Sequence, residues 1–168
     1  REGEGGGLPE TIALSPAGTA GGTALVARTL GLDVAIASAV GADPQGQLVR
    51  SMFDAAGVDT GLLETDRERP TSTTVLPIRP NGDRPNWHMM GASLFAPVTN
   101  AVATASRRAA AAHWGAVGFP GVAGQGAGLL RDARAGGAFI SCDLIAPSEA
   151  AQADLDALLP HVDLFMPS

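Results

Sequence analysis

The stretch AGTAGGTALVARTLGLDVAIASAVGADPQGQ, residues 17–47, decides the fold. Gly18, Thr19, Ala20, Gly21 and Gly22 stand ahead of an apolar series, Leu25, Val26, Thr29 and Leu30, that recurs at helical spacing until Gly31 closes it. Asp33 to Gly41 is a short apolar run bounded by glycines, the pattern of a strand buried on both faces. Asp43 then stands where an N-cap belongs, Pro44 fills the first helical position, and Gly57 marks the end of that helix. The order is helix, strand, helix.

The alternation returns downstream: a strand in residues 110–119, a helix in 126–137, a strand in 138–145, a helix after Ser148 that stops at Pro160, and a strand in 162–167. Such alternation predicts an α/β protein with a mostly parallel sheet and covering helices. Residues 71–92 break the rhythm. β-branched residues flank Asn81-Gly82, a strong hairpin signal, while Pro77, Pro80 and Pro85 keep this ribbon out of a central ladder. It reads as a flap or lid. The start, REGEGGG, reads as a mobile end.

A length of 168 residues, 45% of them hydrophobic, fits one domain with a real core. A net charge of −6 disfavours nucleic acid as a partner. No apolar run approaches a bilayer span, so no membrane partner is expected, and the single cysteine, Cys142, points to a reducing compartment with the cytoplasm as default. No His, Cys and carboxylate cluster has metal-ligand spacing, so no protein-bound metal is expected.

Bare backbone ahead of a helix has three uses: to meet a phosphate, to meet a neutral ligand, or to pack tightly on a sheet. A Walker A loop is excluded, since GTAGGTA lacks the required lysine. A dinucleotide fold, and with it an oxidoreductase, is disfavoured: the G-x-G-x-x-G spacing is absent and Ser15-Pro16 interrupts any preceding strand.

The ordered series of residues 17–47, then GVDT (residues 57–60), PTSTTVLPIRPNGDRP (residues 70–85) and HMMGA (residues 88–92), resembles the ribokinase/PfkB family of carbohydrate kinases over most of the chain. The family's V-G-x-D-x-x-G motif is matched by Val40, Gly41, Asp43 and Gly46, and its threonine before the lid by Thr71. The resemblance implies a ribokinase-like three-layer α/β/α fold with a small β lid, truncated at both ends, residues 1–168 being a partial kinase domain with lid segments near 8–14 and 71–92. It also implies ATP- and Mg2+-dependent phosphorylation of a sugar or nucleoside hydroxyl, and a homodimer through the lid.

By the same resemblance Gly18, Thr19, Ala20, Gly21 and Gly22 line the substrate, where glycines expose N–H and C=O groups to a polyol. The chain departs from the family at Ala17, where a glycine is usual, and at Gly22 and Ser93, where asparagines are usual. A family subgroup carries a GTAxGTA form like the one here. The catalytic Asp of the family's GAGD motif has no counterpart, so it is expected beyond Ser168, and the fragment alone is expected to be inactive. A non-catalytic sugar-binding relative therefore remains an alternative.

Among single residues, His88 on the returning lid strand is a candidate substrate contact, with a lid-surface role as the alternative. Asp143 ends a strand on the side where open α/β sheets bind ligands, which places it near phosphate or nucleotide, against a capping alternative. Ser168 falls where the family's nucleotide-site PNE motif begins. His113 and His161 read as structural, Asp43 as a cap, and Trp87 and Trp114 as packing residues.

Overall fold

The computed structural model describes residues 11–145 and 147–167. Ser168 and residues 8–10 of the expected first lid segment lie outside them, and residues 11–14 form no regular element.

Helix α1 (Thr19–Thr29) ends one residue before Gly31, whose φ of 89° is the left-handed turn a side chain would resist. The expected strand over 33–41 is regular only as β1 (Ser38–Gly41), with an isolated bridge from Ala35 to Asp59. A strand needs a neighbour, and β2 (Leu63–Asp66) lies parallel beside the last four residues only. Between them α2 (Pro44–Ala55) begins as expected: Asp43 accepts from the Gly46 N–H at 2.8 Å, and Pro44 occupies the first turn.

The hairpin is real but short. β3 (Thr73–Val75) and β4 (Trp87–Met89) pair antiparallel through three residues each. Asn81-Gly82 forms the turn, with Gly82 at φ 87° and the Arg79 N–H donating to Asp83 O at 2.9 Å. Prolines 77, 80 and 85 have no N–H to donate, so the ladder stops before them.

Helix α3 (Asn100–Arg108) follows, capped by Thr99, and then the second parallel sheet: β5 (Ala111–Trp114), α4 (Gly126–Ala135), β6 (Phe139–Leu144), α5 (Glu149–Leu158) and β7 (Leu164–Pro167). Its order is β5-β6-β7, all parallel, as the alternation requires. Ser148 caps α5 by accepting from the Ala151 N–H at 3.0 Å. Among the described residues the parallel strands form two ladders, β1-β2 and β5-β6-β7, so the single sheet expected from the alternation is seen in two pieces.

Each ladder has its own core. Ala24, Ile36, Val40, Phe53, Val58 and Leu63 join α1 and α2 to the first sheet. Leu130, Ile140, Cys142, Leu155 and Leu158 join α4 and α5 to one face of the second. Burial pushes the Cys142 thiol up to about 11, with the charges of Asp143 and Asp154 adding to it. The thiolate is therefore scarce at neutral pH, and Cys142 is expected to react with a disulfide reagent only as fast as the chain opens. Reaction at the rate of a free thiol in native buffer would contradict this packing.

Candidate functional site

The chain's own chemistry gathers where strands end. Thr71 is a buried polar residue, 4% exposed, at the foot of the hairpin. Its hydroxyl donates to Asp43 Oδ1 at 2.6 Å and accepts from the Gly41 N–H at 2.8 Å, while its own N–H donates to Asp43 Oδ2 at 2.8 Å. A methyl on Gly46 would lie 2.2 Å from Gly41 O, and one on Gly41 would lie 2.6 Å from Thr71 N, so both positions exclude a side chain. Burial acts to raise the Asp43 carboxyl, but hydrogen bonds from Thr71 and Gly46 outweigh it and hold the group below its ordinary value. The V-G-x-D-x-x-G motif thus builds a knot between α2 and the lid, with Asp43 as its cap and anchor.

The other strand of the lid is tied at the same level. Gly91 N–H donates to Ser72 Oγ at 2.9 Å, Ser72 and Ser93 share a hydrogen bond of 2.7 Å, and Ala92 N–H reaches Pro70 O at 2.8 Å. His88 is exposed on β4, and its Nδ1 lies 2.7 Å from Thr74 Oγ1 across the hairpin.

The glycine stretch becomes the first turn of α1. Gly18, at φ 84°, is its N-cap, and no side chain caps the helix. The N–H groups of the first turn are thus left for another acceptor, with the positive end of the helix behind them. This end abuts the residue after β5: Thr19 Oγ1 donates to Gly115 O at 3.3 Å, and a methyl on Gly115 would lie 2.1 Å from that hydroxyl. Gly21 is buried against Phe53, whereas a methyl on Gly18 or Gly22 would meet no neighbouring atom of the described residues within 4 Å. The five residues therefore divide: Gly21 serves packing, Thr19 contacts β5, and Gly18 and Gly22 border open space.

On β6, Asp143 lies on the face opposite the α4–α5 core, its Oδ2 3.6 Å from His113 Nε2. His113 Nδ1 is 3.0 Å from Ser141 Oγ. A polar relation between His113 and Asp143 was missed in reading the sequence, because it depends on the β5–β6 register, which pairs His113 with Ser141, 28 residues away. His161 falls in the short helical turn before β7 and joins none of this. A groove of about 870 Å3 bordered by Asp33, Asp59 and Arg108 lies at the opposite, N-terminal end of β1 and β2.

An α/β chain with mostly parallel strands, a glycine-opened helix at the carboxyl end of one of them and a short antiparallel hairpin outside those ladders has the features of the ribokinase-like class. The model of the pfkB family carbohydrate kinases matches residues 1–168, and the chain belongs to that family. Among solved structures, it is similar to a putative ribokinase II from E. coli (TM-score 0.71, 18% identity, 96% of this chain and 56% of that one). A fructokinase from Xylella fastidiosa (TM-score 0.71, 22% identity, 94% and 54%) and a PfkB family carbohydrate kinase from Listeria grayi (TM-score 0.72, 20% identity, 88% and 50%) are similar too. The chain spans about half the length of each. No curated protein matches it significantly. At these identities the likeness establishes the fold, and helices with mostly parallel sheets agree with the expected ribokinase-like class.

Proposed function

We propose that the complete protein carrying this chain transfers a phosphoryl group from ATP to a hydroxyl of a sugar or nucleoside, and that residues 1–168 supply the substrate-binding half and the lid. The observation that carries this reading is the uncapped first turn of α1 against the carboxyl end of β5. Free N–H groups bordered by two side-chain-free positions suit a ligand rich in hydroxyls, which must be met at close range by both donors and acceptors. In this reading Gly18, Thr19, Ala20 and Gly22 line the substrate, and His88, exposed on the lid with its Nδ1 against Thr74, is the candidate contact from that side. Substrate identity follows from the space at Gly22 more than from any charged side chain.

Mg2+ binds through one or two carboxylates, substrate phosphates and its own waters. Asp143 fits that chemistry: its Oδ1 is buried with no hydrogen-bond partner among the described residues, an acceptor suited to a cation's hydration shell. Mg2+·ATP when bound would supply the phosphoryl group, and Asp143 is the residue of this chain that would hold its waters. Among the described residues no group of three or more His, Cys, Asp and Glu forms a metal cage. The base that deprotonates the acceptor hydroxyl is proposed to lie beyond Ser168, so the isolated chain is inactive.

The lid also offers a partner surface. Val75, Ile78, Trp87 and Met90 are more than half exposed on one short ribbon, more apolar surface than a lone hairpin keeps in water at no cost. We propose a homodimer through this ribbon in the cytoplasm, to be checked by sedimentation of Trp87→Glu, which should shift the protein toward monomer; an unchanged dimer would rule out the ribbon as its interface.

The enzymatic reading is tested by ATP consumption by the complete protein over a panel of sugars and nucleosides. Mg2+-dependent turnover with at least one is expected. Binding of a sugar with no turnover of any would favour the non-catalytic relative.

A further inference from the structure

We propose that Ser141 and His113 form a hydrogen-bonded relay that fixes the orientation of Asp143, which makes His113 a positioning residue for the phosphoryl-transfer site. The proposal rests on the reading of Asp143 given above.

Register brings the three together. His113 on β5 pairs with Ser141 on β6, and Asp143 follows two residues on, so all three side chains leave the same face of the sheet. That face is away from α4 and α5, and its other members, Ala111, Phe139, Leu164 and Met166, are apolar and exposed. Cys142 points the opposite way into the core and takes no part. The His113 and Asp143 side chains are only 11% and 19% exposed, so water does not replace what they lose on burial.

The tautomer follows from the contacts. If the Ser141 hydroxyl donates to Nδ1 at 3.0 Å, the imidazole proton sits on Nε2 and faces the Asp143 carboxylate, 3.6 Å away. The other tautomer would turn a lone pair toward the carboxylate, which is repulsive. At 3.6 Å the contact is longer than a hydrogen bond. Among the described residues, Nε2 and Asp143 Oδ1 are both buried without a hydrogen-bond partner. A small rotation of Asp143 toward Nε2 closes the relay and leaves one carboxylate oxygen for a ligand-borne donor. The hydrogen bond at one ring nitrogen decides where the proton on the other stands, so the Ser141 contact prepares Nε2–H for Asp143.

The test uses the complete protein and two independent readouts. In nitrogen NMR of the imidazoles, with His113 assigned through His113→Gln, the relay requires the Nε2–H tautomer at neutral pH and a shift of that nitrogen in Asp143→Asn. The Nδ1–H tautomer, or a resonance indifferent to Asp143→Asn, overturns the relay whatever the enzyme does. In kinetics, His113→Leu should cost at least about tenfold in kcat/KM for Mg·ATP, with the KM for the phosphoryl acceptor and the Tm little changed. His113→Gln, whose amide N–H reaches roughly where Nε2 stands, should recover most of the loss. Equal losses in both variants that track Tm would overturn the positioning role. Absence of any turnover alongside the predicted NMR result would support the relay and overturn the kinase reading.

Discussion

Asp43→Ala is expected to lower stability by about 2 kcal/mol or more, because it removes three hydrogen bonds to a charged acceptor at once, one of them the helix cap. For a chain of this size the corresponding fall in Tm is roughly 4–8 °C. Thr71→Val, which keeps the volume and removes the hydroxyl, strands the Gly41 N–H and should cost a comparable amount. The double variant should lose less than the sum, since both substitutions break the same knot. A pH series checks the cause independently. The Asp43 carboxyl is held below its ordinary value, so its contribution is complete above the unfolded value of about 3.9 and is lost as pH falls through the lower folded value. Wild type and Asp43→Asn should therefore converge in stability as the solution is acidified below about pH 4. A gap that stays constant to pH 2 would show that the knot does not depend on the charge.

Gly22→Ala separates stability from function in the opposite sense. Position 22 is helical, and a methyl there would touch no neighbouring atom of the described residues within 4 Å, so the substitution should stabilise α1 by roughly 0.5–1 kcal/mol. The same methyl fills space that the proposed substrate occupies, and the KM for the phosphoryl acceptor should rise by about tenfold or more with kcat less affected. Gly115→Ala should raise the same KM by another route. Its methyl would press on the Thr19 hydroxyl and come within 3.1 Å of Ala20 N, which displaces the first turn of α1 from the end of β5. Thermal melts with steady-state kinetics on both variants check the pair. If Gly22→Ala left acceptor KM unchanged, the space beside position 22 would not be substrate space.

Local signals made much of the fold legible. Gly31 and Gly57 as helix stops, Asp43 with Pro44 as a helix start, Ser148 as a cap and Asn81-Gly82 as a turn all act within a few residues of themselves, where sequence carries the information. Two elements escaped for the same reason in reverse. β2, Leu-Glu-Thr-Asp, has one buried residue and is a strand only because β1 lies beside it. α3 buries none of its residues completely, and its half-buried face, Val102, Ala103, Ala105 and Ser106, holds a single branched aliphatic, too little to read as a core stripe.

The candidate site was legible in proportion to its locality as well. The glycine stretch announced an exposed backbone, but which glycine packs and which opens space depends on Phe53 and on Gly115, 96 residues from Thr19. His113 looked structural because nothing near it in sequence is polar, and only the β5–β6 register brings Ser141 and Asp143 to its side.

The central claim is that the first turn of α1 meets the phosphoryl acceptor, and backbone hydrogen exchange at Thr19, Ala20 and Gly21 of the complete protein tests it most directly. These N–H groups start a helix that no side chain caps. Addition of an acceptor sugar or nucleoside should slow their exchange, while Mg2+·ATP alone should leave it unchanged. Protection by Mg2+·ATP and not by the acceptor would make this turn a phosphate cradle and contradict the account.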